Sequence, residues 1–246
     1  MRNIRLTLSY DGTDFSGWQT QPGRRTVQET LERAIAELTR DERVHLNASG
    51  RTDSGVHALG QVANFHTNCS RPAEVIHRAV NARLPADVVI LDAAEAAPEF
   101  DANRDAVRKL YRYVIHDGRV PNLFLRRYCC QASSRLDVPA MARAAQCLLG
   151  THDFRCFESE WPNRASSVRT ITRLTVSRFG DWIWLDAEAD GFLYNMVRAI
   201  AGTLMNVGRG FWPAERVQHI LASGDRRLAG PTAPPQGLFL VRVEYK

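Results

Sequence analysis

The chain has 246 residues, 44% hydrophobic and 24% charged, enough for one large domain or two ordinary ones with a core that needs no staples. No apolar run is long enough to span a bilayer, and Met1-Arg2-Asn3-Ile4-Arg5 lacks the apolar stretch of a secretory signal. The balance is basic, 32 Lys+Arg against 27 Asp+Glu, which favours a polyanionic partner without specifying one.

Ile4, Leu6, Leu8 and Tyr10 alternate with Arg5, Thr7 and Ser9, the pattern of a half-buried strand. Thr26-Val27-Gln28-Glu29 has the form of a capping box. Val27, Leu31, Ala34, Ile35 and Leu38 follow at helical spacing, which predicts a helix to about Thr39. A strand is expected near Gln61 to His66, a helix from Ser70-Arg71-Pro72 to before Pro85, and a strand over Asp87 to Leu91. Ala93 to Asp105 is poor in hydrophobic bulk and reads as a linker. Beyond it, Leu110 to His116 is a strand carrying Tyr111 and Tyr113, and Asp137 caps a helix ending at Gly150. Ile171 to Arg178 and Trp182 to Ala187 form a hairpin around Gly180-Asp181. A helix covers Phe192 to Val207, and a short one starts at Pro213. Residues 230–237 are a loop, and a last strand alternates Phe239, Val241, Val243 and Tyr245. Alternating strands interspersed with helices predict an α+β protein with antiparallel sheets, in two halves, 1–105 and 106–246.

Ser49-Gly50-Arg51-Thr52-Asp53-Ser54-Gly55-Val56-His57-Ala58 is the most informative stretch. In extended backbone, residues i and i+2 point to the same side, so Arg51 and Asp53 face one site together. Gly50 and Gly55 leave room for a ligand to come close. The run reads as a reactive aspartate with a cation beside it, or as a surface turn whose polar side chains cap local backbone. The helix from Phe192 is apolar almost all round, as buried helices are, and Arg198 is its only charge. A buried arginine needs a carboxylate. It meets Asp53 between the two halves, or pairs with a structural acid, or reaches to the surface. Tyr111 sits among Arg104, Arg108, Lys109 and Arg112. It is an exposed platform for an unstacked RNA base, or a core tyrosine. Arg24-Arg25, Arg126-Arg127 and Arg226-Arg227 are phosphate contacts or solvated pairs. Leu238 walls the site or simply starts the last strand.

The five cysteines are odd in number, two are adjacent, and none forms a C-x-x-C pair, which fits the reduced thiols of a cytosolic protein. No H-E-x-x-H or zinc-spaced His/Cys cluster occurs, so no metal is expected.

Together these stretches resemble the tRNA pseudouridine synthase A family over nearly the whole chain. The resemblance runs through Ser9-Tyr10-Asp11-Gly12-Thr13-Asp14-Phe15-Ser16-Gly17-Trp18-Gln19, the Asp53 loop, Tyr111-Arg112-Tyr113, Gly150-Thr151-His152-Asp153-Phe154, Gly191-Phe192-Leu193-Tyr194-Asn195-Met196-Val197-Arg198 and Ala233-Pro234-Pro235-Gln236-Gly237-Leu238. It implies the pseudouridine synthase fold, with the two halves' sheets joined into one extended sheet flanked by helices. It implies an isomerase that converts uridine to pseudouridine at positions 38, 39 and 40 in the anticodon stem-loop of tRNA, without a cofactor or metal, as a cytoplasmic homodimer. By motif match, Asp53 is the catalytic aspartate, Arg51 enters the RNA, Tyr111 stacks on the target base, Arg198 pairs with Asp53 and Leu238 lines the pocket. One departure is visible. Many members carry Phe-His-Ala-Arg where this chain has Phe100-Asp101-Ala102-Asn103-Arg104, so Arg104 substitutes from one position later or the contact is lost.

Two other readings compete. Asp53-Ser54-Gly55 matches the aspartic protease signature, but the preceding residues are polar and no second copy supplies the partner carboxylate. A non-catalytic RNA-binding module would also be basic and aromatic, and it would bind tRNA regardless of the Asp53 carboxylate.

Overall fold

Two units are built from the chain, residues 1–107 with 240–246, and residues 108–239. The computed structural model describes residues 1–41, 43–159 and 166–246.

In unit 1 the alternating N-terminus forms β1 (Arg2–Tyr10), with Ile4, Leu6, Leu8 and Tyr10 buried. Helix α1 (Val27–Thr39) starts where expected: the Thr26 hydroxyl accepts the Glu29 N–H at 3.4 Å, and Val27, Leu31, Ala34 and Ile35 form its buried face. The short β2 (Asn47–Ala48) and the long β3 (His57–Thr67) flank the Asp53 loop. Helix α2 (Ala73–Asn81) packs on β4 (Val88–Ala96). Strand β1 lies antiparallel between β3 and β4.

Ala93 to Asp105 is not a linker. Ala93, Ala94 and Ala96 continue β4 opposite Leu6, Arg5 and Asn3, where small side chains suffice because β1 supplies the ladder. Two buried asparagines then hold the next turn. Asn3 donates to the Ala97 and Phe100 carbonyls, Asn64 donates to Asn3 and Phe100, and Asn64 Oδ1 accepts the Ala102 N–H at 2.9 Å. Backbone groups that would otherwise be orphaned are paired in this way.

Unit 2 starts within β5 (Ala106–His116), which begins four residues before the expected strand. Cys130–Gln131 (β6) pairs parallel to its end. Asp137 caps α3 (Val138–Ala145) by accepting the Ala140 N–H at 2.9 Å. That helix stops short of Gly150 in a single 3-10 turn, and Gly150, at φ +94°, opens an unanticipated strand β7 (Gly150–Asp153). Strands β8 (Val168–Phe179) and β9 (Trp182–Ala189) form the expected hairpin, Phe179 opposite Trp182 and Gly180 at φ +62°. The order β5-β9-β8-β7 makes an antiparallel sheet, with α3 lying on β8 and against α4 (Met196–Gly208). Helix α4 starts at Met196, not Phe192, because Asn195 takes the left-handed conformation, φ +62°, just before it. Helix α5 (Glu215–Ser223) leads to the loop and to β10 (Leu238–Tyr245), whose residues from Leu240 belong to unit 1 beside β3. Leu238 and Leu240 are its buried residues, whereas Phe239, Val241, Val243 and Tyr245 are half-covered; Tyr245 donates to the Ala102 carbonyl at 2.7 Å. No helix among the described residues is long and apolar enough to cross a membrane.

One ion cluster ties unit 2 together. The fully buried Asp117 carboxylate receives Arg178 at 2.8 Å, Arg135 at 3.1 Å and the Leu136 N–H at 2.9 Å. Burial opposes its charge, but these donors outweigh burial and hold its pKa below the ordinary carboxylate value. A depressed folded pKa contributes stability above the unfolded value of about 3.9 that is lost as pH falls through the folded one. Urea unfolding below about pH 4 should therefore lose stability more steeply in the native chain than in Asp117→Asn.

Candidate active site

The Asp53 loop sits in a cradle made by the segment after β1. A Cβ on Gly12 would lie 1.9 Å from the Val56 carbonyl oxygen. One on Gly17, at φ +85°, would lie 2.8 Å from the Thr52 oxygen and 3.2 Å from the Asp53 carbonyl carbon. Only glycine allows two backbones to come this close. Trp18 N–H donates to the Thr52 carbonyl at 3.0 Å, and Val56 N–H to the Asp53 carbonyl at 3.1 Å, closing a turn around the aspartate. Phe15 and Trp18, both 2% exposed, seat the cradle in the core.

Side chains fix the loop at four more points. Thr52 is buried and shares a 2.9 Å hydrogen bond with the Tyr10 hydroxyl, whose pKa burial pushes up to about 12. Ser54 donates to the Phe15 carbonyl at 3.1 Å. Buried Gln61 accepts from Ser49 Oγ at 2.5 Å and donates to the Gly50 carbonyl at 2.8 Å. The buried His57 ring accepts the Gly12 N–H at Nδ1, 3.1 Å. Thr52 and Ser54 are thus turned to protein partners, while Arg51 is exposed and Asp53 half-buried on the loop. Arg51 and Asp53 do share a rigid stretch, with Thr52 directed into the core between them.

The other three candidates lie in unit 2. Tyr111 is on β5 and is buried, 8% exposed, with its ring edge-on to Phe192 at 5.1 Å. Of the two readings, exposed platform or core tyrosine, its burial against Phe192 fits the second. Two residues on and on the same face, Tyr113 donates to the Pro234 carbonyl at 2.8 Å; burial drives its pKa far up. Gly237 packs on that ring: a Cβ there would lie 2.8 Å from Tyr113 Cζ. This fixes the start of β10, where Leu238 is 6% exposed. Arg198, half-buried on α4, donates from Nε to the Ala233 carbonyl and from a terminal nitrogen to Asn195 Oδ1, each at 2.7 Å. Asn195, in its left-handed conformation, is held in turn by Ser159 Oγ at 2.9 Å. Two of the guanidinium's five donors are thereby oriented by neutral acceptors. Arg198 and Tyr113 are both tied to the 233–237 loop that leads into Leu238, and Tyr111 shares the strand face of Tyr113.

Several arginines proposed as phosphate contacts are used internally. Arg25 grips Asp87 with two bonds of 2.7 and 2.8 Å and stacks over Phe15, clamping the cradle. Arg226 donates to the Gly230 carbonyl and Thr232, and Arg227 pairs with Asp225. Arg126 donates to the Leu123 carbonyl. Arg104 is taken up by Asp105 and the Glu99 carbonyl. The cradle glycines, Gln61, Tyr113 and Asn195 were given no role from sequence: the glycines and Tyr113 meet partners far away along the chain, and Gln61 and Asn195 act through bonds that no local pattern announces.

The family model described as tRNA pseudouridine synthase matches residues 7–122 and 144–246. The chain is 45% identical over 245 residues to tRNA pseudouridine synthase A of Thermoanaerobacter sp. (strain X514), covering 100% of both. It is 47% identical over 245 residues to tRNA pseudouridine synthase A of Acetivibrio thermocellus, again covering 100% of both. Among solved structures, a Cbf5-Nop10-Gar1 complex is similar with a TM-score of 0.38 at 10% identity, over 96% of this chain and 57% of that one.

Proposed function

The chain belongs to the tRNA pseudouridine synthase family, and on that premise we propose that it isomerises uridine to pseudouridine at positions 38, 39 and 40 in the anticodon stem-loop of tRNA. The observation that supports this most is the Asp53 loop, a half-buried carboxylate on backbone locked from both sides. Catalytic groups need such a rigid setting. A non-catalytic module has no use for it, and the sequence holds no second D-S/T-G of the kind an aspartic protease needs.

In this reading the target uridine leaves its stack, at a cost of a few kcal/mol. Arg51 enters the space it vacates, Tyr111 stacks on the base and Leu238 walls the pocket. Asp53 attacks the ribose anomeric carbon or removes the 2′ proton. The N1–C1′ bond breaks, the uracil turns, C5 bonds to C1′, and the C5 proton is released while N1 gains one. Arg198 supplies the cation that keeps Asp53 ionised. The enzyme works as a cytoplasmic homodimer; sedimentation at micromolar concentration tests the dimer.

The deciding experiment is tritium release from tRNA carrying uridine labelled at C5. Release by the native chain is expected, since the label leaves only when C5 takes the ribose bond. No release from a folded, tRNA-binding chain would favour the non-catalytic module. Tyr111 provides a second test. Tyr111→Ala should lower kcat/KM by about 5- to 150-fold, the 1–3 kcal/mol worth of base–aromatic stacking. Tyr111→Phe should stay within about threefold. A Phe variant as damaged as the Ala variant would assign the work to the hydroxyl.

A further inference from the structure

The β8–β9 hairpin of unit 2 has two unlike faces. Leu174, Val176, Ile183, Leu185 and Ala187 are buried on one of them, with α3 lying on β8. The alternate residues turn the other way. Register sets Thr175, Asp186 and Arg112 in one row across β8, β9 and β5, Ser177, Trp184 and Val114 in the next, and Phe179 and Trp182 in a third. On β8 these residues are exposed, and on β9 and β5 all of them are half-buried. A sheet face left to water is ordinarily polar. This one carries two tryptophans, a valine and a phenylalanine that is 52% exposed.

The face is built as a rigid ridge. The Phe179 ring lies 4.6 Å from that of Trp184, and the Arg112 guanidinium stacks over Trp184 at 3.9 Å while it grips Asp186 with bonds of 2.7 and 2.8 Å. Trp, Phe and Arg are the residues that concentrate in the cores and hot spots of protein interfaces. An apolar loop adjoins the aromatic end. The Gln131 side-chain oxygen meets His116 Nδ1 at 2.9 Å and its amide donates to the Gly118 carbonyl at 3.2 Å, so the chain after β5 departs beside Trp182, whose ring is 4.6 Å from His116. In that loop Val120 and Leu123 are exposed, and Phe124 is 92% exposed. Monomeric proteins seldom leave apolar surface of this extent uncovered.

The charges on the face decide its occupant. Arg112 is paired with Asp186, and Arg173 stands opposite Glu188. A nucleic-acid backbone would meet two carboxylates along with two arginines and would gain little from them. Balanced charges beside an apolar centre are instead complementary to themselves, which is what an isologous two-fold contact requires. We propose that this open face of the β5-β9-β8 sheet, centred on Trp184, is the surface through which two copies of the chain meet. This rests on the homodimer reading above and adds to it the face that forms the contact.

The test is sedimentation of the full chain at micromolar concentration with a charge placed at Ser177, an exposed residue in the Trp184 row whose replacement spares the monomer's own core. The native chain should sediment as a dimer. Ser177→Arg and Ser177→Asp should each weaken dimerisation by at least about 30-fold, the size of a hot-spot loss, because a charge of either sign is desolvated against the apolar centre. Trp184→Ala should do the same by removing that centre. Gln146→Arg, an equal charge at an exposed position just after α3, should dimerise like the native chain. Urea unfolding establishes that each variant is folded. A native dimer that both Ser177 variants and Trp184→Ala leave intact would overturn the face and keep the homodimer reading, whereas a native monomer would overturn both. The affinity for tRNA separates the other occupant. RNA on this face would be held more tightly by Ser177→Arg and less tightly by Ser177→Asp, while a second copy predicts no such opposition. Opposite shifts of more than about threefold each would overturn the proposal and give the face to RNA.

Discussion

Asp53→Asn should abolish tritium release, by more than about 10³-fold, while tRNA affinity stays within about twofold. The first half follows from chemistry. A nucleophile and a general base both need the ionised carboxylate, and loss of a positioned general base alone costs about 10²–10⁴ in rate. The second half follows from the way the loop is held. Its backbone is fixed by the Trp18 and Val56 N–H groups, its side-chain anchors are Thr52, Ser54, Ser49 and Gln61, and its close contacts are Gly12 and Gly17. None of these uses the Asp53 carboxylate, and asparagine fills the same volume. The variant therefore keeps the loop and loses only the charge. Full release by Asp53→Asn would sink the assignment of Asp53, and undiminished tRNA binding by a native chain that makes no product would leave a binding module.

Much of the fold was legible because its signals are local. β1, α1 and the β8–β9 hairpin were read from alternation, a capping threonine and a glycine turn, and each element stands where those signals put it. The misreadings share one physical cause. Ala93 to Ala96, Ala102 and the start of β5 have little hydrophobic bulk, yet they are ordered by β1 and by the buried Asn3 and Asn64 side chains. No local pattern announces a partner 38 to 97 residues away. The same holds for the site. A run of glycine and small polar residues around a lone Arg and Asp marks Asp53 as worth attention, but the sequence does not say what braces it. For Tyr111 the surrounding cations left two readings open, an exposed platform or a core tyrosine; strand alternation sends Arg112 to the opposite face, and the ring is buried against Phe192.

Gly12→Ala should destabilise the protein by about 3 kcal/mol, the upper range for overpacking, and cost at least about tenfold in kcat at temperatures where the variant is still folded. The added methyl would sit 1.9 Å from the Val56 carbonyl oxygen, far inside any tolerated contact. The obstacle is backbone, so no rotamer change relieves it. One backbone must move, and Val56 is the residue whose N–H closes the turn on the Asp53 carbonyl. Displacing it carries the carboxylate with it, and a misplacement of about 1 Å can cost about 10²-fold in rate. The Gly12 N–H bond to His57 Nδ1 would stretch as well, exposing a buried acceptor to loss of its partner. Gly23→Ala is the control. Gly23, unlike Gly12, has a left-handed backbone, φ +70°, and no atom lies within 4 Å of a Cβ there. It should cost about 1 kcal/mol from backbone strain and leave the rate unchanged. Urea unfolding and tritium release on the same preparations read both effects. If Gly12→Ala matched the native chain in both, the cradle would not be what positions Asp53. If it lost stability but kept the full rate, the glycine would serve packing alone.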